Sequence, residues 1–375
     1  MLRTQVRKKL WHLPQNMYEG GYKLDKALLK NNKDTRIGLF RKFISPEFLI
    51  NNLLYIFMIT AIVIIQIISP NFLSVPSIIN IISLSAANLP IALGIAGCII
   101  LTGTDLSAGR IVGVVACVSA SLLQTNGYAN KMFPELATLP VYTVILIALA
   151  IGAVVGLVNG FCTAKFHLHP FIVTLSTQLI VYGLLLIYLM SGNNNGQSIS
   201  GLDSSYTNLI TGSILSIGAT AIPNFVWYSM AITVIMWFVW NKTTFGKNMF
   251  AVGSNPDAAN VSGVNVTATI IGVFTLAGVL YGVTGFIETA RIGSNSAATG
   301  LNYELDAIAA CVIGGVSFVG GIGKIRGVII GVVLLRIIFV GLTFLGIDAN
   351  MQYVIKGLII LIACAIDMRK YLVKK

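Results

Sequence analysis

Charge-free apolar runs as long as a full helical span recur along this chain, Phe48 to Ser69 and Ile78 to Leu101 among them. A hydrocarbon core about 30 Å thick takes about 20 helical residues to cross. Every backbone amide within it must be satisfied by the spanning structure itself, which leaves helices or closed barrels. The runs do not alternate apolar and polar residues as barrel strands do. The chain therefore reads as an all-α polytopic membrane protein. Its composition agrees, with 56% of 375 residues hydrophobic, 10% charged and a mean hydropathy of +0.85, outside the balance of a soluble domain.

Taken in order, the apolar runs place candidate spans at 48–69, 78–101, 106–124, 140–163, 171–190, 225–240, 268–287, 305–319, 327–345 and 352–367. Ten is an even number, so both termini fall on one side. Residues 1–47 carry 11 Lys/Arg against 4 Asp/Glu, and such a segment beside a first span holds that end in the cytoplasm. Most of the formal net charge of +12 sits there, so it speaks for topology and anionic lipid rather than for nucleic acid. With this orientation Arg110, Lys165, Lys242, Lys247, Lys324, Arg326 and the basic tail lie inside; Lys131 and Arg291 are exceptions outside. The first apolar run starts near Phe48 and lasts a full span, unlike a signal peptide, so the basic start is expected in the mature protein. Residues 1–44 then form a basic cytoplasmic segment and 45–375 the transmembrane domain.

Span eight has an apolar core of only about a dozen residues between Asp306 and Gly320, short for a simple crossing, which predicts a broken or re-entrant helix. Gly152, Gly156, Gly160, Gly272, Gly278, Gly282 and Gly285 lie within spans, where small residues let helices approach closely. IAGCII (Ile95 to Ile100) followed by GRIVGV (Gly109 to Val114) is weakly echoed by IAACVI (Ile308 to Ile313) followed by GKIRGV (Gly323 to Val328). The five cysteines sit in apolar runs without C-x-x-C spacing and read as packing residues. Between spans, Ser191 to Asn224 is large enough for a short helix or an extracytoplasmic docking surface.

The sequence excludes several chemistries. Gly246-Lys247 and Gly323-Lys324 lack the earlier glycine and the following Ser/Thr of a phosphate-binding loop, so the chain is not its own ATPase. His167 and His169 have no acidic or cysteine company that would make a metal site, and no hydrolase motif is present. Ionisable residues in or beside spans are Asp105, Arg110, Glu288, Arg291, Glu304, Asp306, Arg336 and Lys356. Such groups are costly in hydrocarbon and mark function or pairing. Asp105 and Arg110 are expected at an aqueous boundary, Lys356 to snorkel outward, and Arg336 to pair with Glu288 or Asp306. The polar residues that could line a pathway are Asn88, Thr104, Asp105, Asn159, Thr177, Gln178 and Glu288.

One long polar interruption, Asn241 to Val266, carries helix start and stop signals. Asn255 suits an N-cap, Pro256 the first helical position, Asp257 the positive helix start, and Gly263 a left-handed stop. These predict a two-turn helix with Ala258 and Ala259 exposed. Capping alone fits an ordinary amphipathic surface helix as well as a docking surface.

Asp257-Ala258-Ala259-x-x-x-Gly263 resembles the E-A-A-x-x-x-G signature of ABC-importer permeases, with Asp in place of Glu. The surrounding FGKNMFAVGSNPDAANVSGVNV is similar to the form in permeases for ribose and related monosaccharides. TGTDLSAGR, HPFIVTL, YELDAIAACVIGGVSFVGGIG and NKMFPELATLP resemble the members that carry galactose and methyl-galactosides. The resemblance runs from about Ser45 to the end. It implies a permease of the bacterial inner membrane, working as a homodimer with an ATPase subunit that carries two nucleotide-binding halves and with an extracytoplasmic sugar-binding protein. ATP and magnesium would then be bound by the ATPase, with no cofactor on this chain. Residues 241–267 would be the cytoplasmic coupling loop, with Gly253, Asn255, Pro256, Asp257, Ala258, Ala259 and Gly263 as ATPase-coupling residues. Another monosaccharide such as ribose is the alternative within the family. An ion-coupled carrier is the alternative outside it, and would depend on Glu288 as a midmembrane carboxylate.

Overall fold

The computed structural model describes residues 53–218 and 220–372. The basic segment 1–44 and the start of the first apolar run lie outside the described residues. The chain divides into two units, one ending at Thr60 and one beginning at Ala61. Of the first unit only the beginning of α1 (Leu53–Ile68) is described, and every other element belongs to the second.

Among the described residues, five helices are long and apolar enough to cross a bilayer: α2 (Val75–Ile100), α4 (Val141–Lys165), α5 (Pro170–Leu189), α10 (Val266–Ile292) and α12 (Ile325–Phe344). Between them lie α3 (Ala108–Leu122), α6 (Ser204–Thr211), the strands β1 (Ser213–Ile217) and β2 (Thr220–Pro223), α7 (Asn224–Lys242), α8 (Thr244–Ser254), α9 (Pro256–Val261) and α11 (Tyr303–Ile313); α13 (Ala349–Leu372) ends the chain. The protein is thus predominantly helical, as expected. The departure is an antiparallel β1–β2 hairpin pairing Ser213 with Pro223 and Ile217 with Thr220, inside the connection expected to hold a short helix. That connection also holds α6, N-capped by Asp203, whose carboxylate accepts from the Ser205 amide at 2.8 Å.

Helices α2 and α10 are mostly buried within the protein, whereas α4 and α5 turn most of their length outward. The glycines explain how α10 comes to the centre. Gly152, Gly156 and Gly160 of α4 face Gly278, Phe274 and Ile271 of α10, and a Cβ added at Gly152 or Gly278 would overlap the carbonyl oxygen of the other. Gly282 meets Ala148 in the same way, and on another side of α10 Gly285 meets Val112 and Val115 of α3. Four-residue spacing puts these glycines on one helix face, so backbone packs directly on backbone. On the opposite face of α4, Leu146, Val154, Leu157 and Phe161 are exposed, as a lipid-facing surface requires.

The connections gather at two ends. At one, the Gly321 amide donates to the Ile100 carbonyl at 2.9 Å, and Thr174 Oγ1 donates to the Thr104 carbonyl at 3.0 Å. At the other, the Thr125 amide donates to Gly201, Asp203 to Leu123 and Asn193 to Met132, while Ile199 and Asn295 exchange both backbone bonds. Lys131, one of the two cations expected outside, is buried there and donates to Asn126 Oδ1 at 3.0 Å and to the Leu136 carbonyl at 2.6 Å.

The stretch expected as span eight is a short helix preceded by non-helical chain. Helix α11 has 11 residues and is about 16 Å long at 1.5 Å per residue, about half a bilayer core. The other half of the path is non-helical chain, residues 294–302, laid along α3. Ser296 meets Cys117, the Ala297 carbonyl accepts from Arg110 Nη1 at 3.1 Å, Thr299 meets Gly113, and Gly300 meets Gly109. Irregular backbone at membrane depth is tolerated only where protein or a water-lined cavity shelters it. Here glycines 109 and 113 leave α3 flat enough to accept it. The echoed segments also meet: Gly320 and Gly323, after α11, lie against Ile100 at the end of α2, and Cys311 Sγ lies 3.2 Å from the Ala92 carbonyl.

Gly278→Ala therefore tests the seam. Thermal unfolding in detergent should show a loss of about 1–3 kcal/mol, the usual cost of overpacking. Gly183→Ala, at a glycine with open space around its Cβ position, should cost nothing or stabilise.

Candidate functional site

The polar segment between α7 and α10 folds as two helices rather than the single one expected. Helix α7 continues through Lys242, and Thr243 then caps α8, its Oγ1 accepting from the Gly246 amide at 3.2 Å. Phe245, Met249 and Val252 repeat at helical spacing and give α8 a face that is buried or half-buried. Gly253 is buried at its end, where a Cβ would overlap the Ile100 carbonyl and crowd the Gly321 amide. The segment is thereby held against the end of α2.

Helix α9 is fixed by chemistry local to it. Asn255 takes an extended conformation and its Oδ1 accepts from the Ala258 amide at 2.9 Å; Pro256 occupies the first turn with Asp257. At the other end Gly263 has φ +83°, its amide donates to Asn260 at 2.9 Å, and Val264 donates to Ala259 at 3.0 Å. These two bonds are the Schellman pattern, which satisfies the last carbonyls of a helix through a left-handed residue. Asn265 then caps α10, Oδ1 accepting from the Ala268 amide at 2.9 Å. Only Ser262, Gly263 and Val264 separate α9 from that cap, so α9 joins the central helix through a short, hydrogen-bonded turn.

The outer surface of α9 is bare. Pro256, Asp257, Ala258 and Asn260 are exposed, and Val261 at the end of the helix is 91% exposed. Ala259 departs from expectation: it is buried, because its side of this short helix faces the protein while Ala258 faces out. Beside α9 opens a concavity of about 730 Å³, walled by Pro256, Asp257, Asn260 and Gly263 on one side and by Thr163 and His167 on the other. His169 is used locally, its Nδ1 accepting from the Phe171 amide at 3.3 Å as the cap of α5.

The polar residues inside the bundle fall into three groups. Asp105, Asn159 and Thr177 are joined through Ser107: Ser107 Oγ donates to Asp105 Oδ1 at 2.6 Å, Asn159 Nδ2 donates to Ser107 Oγ at 2.9 Å, and Thr177 Oγ1 donates to Asn159 Oδ1 at 2.7 Å. Thr104 lies beside this chain through its bond from Thr174. Asp105 is fully buried, whereas Arg110 is half-buried and stacks over the Tyr182 ring at 4.1 Å. Their partners, Ser107 and the segment 294–302, reach them within the fold. Ser107, which completes the chain, was missed; its place two residues after Asp105, the spacing of an Asx turn, was the available signal.

Glu288 forms the second group. It is fully buried and holds Arg291 in a two-point pair at 2.8 and 2.6 Å, with Tyr303 donating at 3.0 Å. Asp306 anchors the third, accepting from Arg336 Nη2 at 3.2 Å and meeting Lys356 Nζ at 2.5 Å, with Asn88 close behind. Arg336 thus pairs with Asp306 and not Glu288. Lys356 turns inward instead of snorkelling, its side chain 14% exposed against Asp306. Gln178 is half-buried and belongs to none of these groups.

Outside the spans, burial against Phe286 pushes the Tyr206 phenol well above its ordinary pKa, and its hydroxyl donates to the Phe286 carbonyl. This locks α6 to the end of α10.

Glu288→Gln leaves the Arg291 guanidinium without its counter-charge. Thermal unfolding in detergent should show a loss of about 1–3 kcal/mol. Glu288→Gln combined with Arg291→Gln should recover part of it if the pair is structural as its geometry indicates.

Known proteins share this sequence over most of its length. Residues 77–364 match the family described as branched-chain amino acid transport system / permease component. The galactose/methyl galactoside import permease protein MglC of Escherichia coli (strain K12) is 46% identical over 86% of this chain and 95% of its own length. That of Haemophilus influenzae is 44% identical over 88% and 98%. The ribose import permease protein RbsC of Escherichia coli (strain K12) is 31% identical over 88% and 97%. No solved structure matches the chain.

Proposed function

The chain belongs to the family of branched-chain amino acid transport system permease components, and from that premise we infer that it is the membrane permease of a bacterial ABC importer for galactose and methyl-galactosides. The observation that carries the substrate is the gap in identity: 38 to 47% to four galactose/methyl galactoside permeases against 31 to 32% to ribose permeases, over nearly the same share of this chain. The chain is not itself an enzyme; ATP is bound with magnesium and hydrolysed on a partner subunit.

In this reading the chain crosses the inner membrane ten times with both termini in the cytoplasm, and two copies enclose the pathway. The end carrying α8 and α9 faces the cytoplasm. The end carrying α6 and the β1–β2 hairpin faces a sugar-binding protein, with Ile214 and Ile217 exposed there. The second outside cation, Arg291, fits this orientation because Glu288 neutralises it.

Coupling is assigned to Gly253, Asn255, Pro256, Asp257, Ala258, Ala259 and Gly263, as expected from the sequence. Asp257, Ala258 and Val261 offer the surface that the ATPase grips, and the concavity beside them receives a protruding side chain. Asn255 and Gly263 hold α9 rigid, and Ala259 and Gly253 seat it on the protein. A push on α9 reaches α10 through the turn to Asn265 and reaches the end of α2 through Gly253. Affinity for sugar is supplied mainly by the binding protein, so the permease needs only to pass sugar between two arrangements of its helices. Among the candidates for lining that path, Asp105, Asn159 and Thr177 form a linked set in contact with α3, α4 and α5.

Uptake of radiolabelled galactose tests this reading in vesicles containing the permease, its ATPase and its binding protein. Uptake should require ATP and all three proteins, and tenfold excess methyl-galactoside should compete while ribose does not. Uptake by the permease alone, driven by an ion gradient, would make it a secondary carrier instead.

A further inference from the structure

The group around Asp306 is more than an ion pair. Arg336 on α12 and Lys356 on α13 both face its carboxylate, and all three side chains are 10 to 15% exposed. Two cations on one anion leave an excess positive charge inside the apolar bundle. Well-packed apolar residues would be as stable or more so, by about 1–4 kcal/mol. Stability therefore does not explain the group, and an ionisable cluster at this depth marks a path for something polar.

A cavity of about 200 Å³ opens directly onto the charges, walled by Asp306, Arg336, Phe339, Ala349, Gln352, Tyr353 and Lys356, so it reaches from the charges to the first residue of α13. At about 30 Å³ per water this is room for roughly six waters, or for one small polyhydroxylated molecule. Its walls carry surplus donors. A guanidinium has five N–H groups and an ammonium three, and Asp306 takes one contact from each. Phe339 and Tyr353 add ring surface, with Lys356 lying 5.1 and 5.3 Å from their centroids.

Depth separates the two ligands that a positive, hydrogen-bonding cavity could hold. Helices α12 and α13 meet at the connection 345–348, on the end where Phe72 packs against Phe344. At 1.5 Å per residue, Arg336 and Lys356 lie about 12 and 11 Å below that connection. A headgroup phosphate at the connection would meet only the Ala349 end of the cavity, whereas a transported solute must pass the depth of Asp306, Arg336 and Lys356.

We propose that the cavity between α11, α12 and α13 is a monosaccharide subsite of the translocation pathway, with Arg336, Lys356 and Gln352 donating to sugar hydroxyls and Asp306 accepting from them. This rests on the sugar-import reading above. The charged triad holds the donor groups in place, and the sugar replaces the cavity water along its path from the extracytoplasmic end.

The assembled importer, with ATPase and binding protein, tests this through Gln352→Ala and Lys356→Met. Galactose uptake should fall tenfold or more, with KM unchanged because the binding protein sets it. ATP hydrolysis stimulated by galactose-loaded binding protein should stay within twofold of wild type. Wild-type uptake in both variants overturns the subsite, and so does a proportional loss of uptake and ATP hydrolysis, which is the signature of a structural or lipid-binding role. Absence of galactose uptake by the wild-type importer would instead defeat the functional reading itself. Should the variants fail to accumulate, Gln352→Cys in the assembled importer decides, since ATP-driven turnover with galactose-loaded binding protein should slow its modification by a membrane-impermeant maleimide relative to turnover with unloaded binding protein. Labelling that the loaded binding protein leaves unchanged would overturn the proposal.

Discussion

Direct backbone contact between α4 and α10 is the constraint on which the rest of the fold depends. Gly152, Gly156 and Gly160 meet Gly278, Phe274 and Ile271 with no side chain between them on the α4 side. In lipid, apolar burial offers no gain over the bilayer, so close van der Waals contact must hold helices together. A long seam of this kind fixes α10 as the central helix, and α2 and α3 pack against its other sides. The same helix receives α9 at its first residue and holds Glu288, Arg291 and the Tyr206 contact at its far end. One rigid element therefore runs from the proposed ATPase surface to the opposite end of the protein.

Polar groups inside the bundle are resolved in two ways. Some are linked to one another, as in the run from Asp105 Oδ1 through Ser107 and Asn159 to Thr177, which ties the α2–α3 connection to α4 and α5. Others are paired with capacity left over, as in the two cations around Asp306 beside an open cavity. The irregular chain 294–302 before α11 belongs to the same economy of space. It lies flat on α3 because α3 presents Gly109 and Gly113 to it and Arg110 donates to its backbone.

The features legible in the sequence were those written locally. Asn255, Pro256 and Gly263 specify the ends of α9 from their own backbone preferences. The i, i+4 glycines announced a helix contact, though not which helix would receive it. The short apolar core after Asp306 announced a broken crossing, but its shelter on α3 depends on glycines far upstream. Helix α8 was hidden because Phe245, Met249 and Val252 are sparse among polar neighbours. Ala259 and Lys356 were misjudged for one reason: whether a residue on a helix faces inward depends on partners that only the folded chain brings near. The site at Asp306 was legible as a pairing with Arg336, and illegible as a cavity with Lys356 and Gln352 on its wall.

The central claim is that α9 carries the ATPase stroke into α10 through the turn at Gly263. Gly263→Leu tests it most directly, because φ of +83° costs a residue with a Cβ about 1–2 kcal/mol while nothing else lies near that position. Galactose uptake and sugar-stimulated ATP hydrolysis are measured with all subunits co-expressed and the permease amount in the membrane held equal. Both activities are expected to fall at least severalfold while Gly263→Asn, which tolerates the left-handed conformation, retains them. Wild-type values of both for Gly263→Leu would contradict the claim.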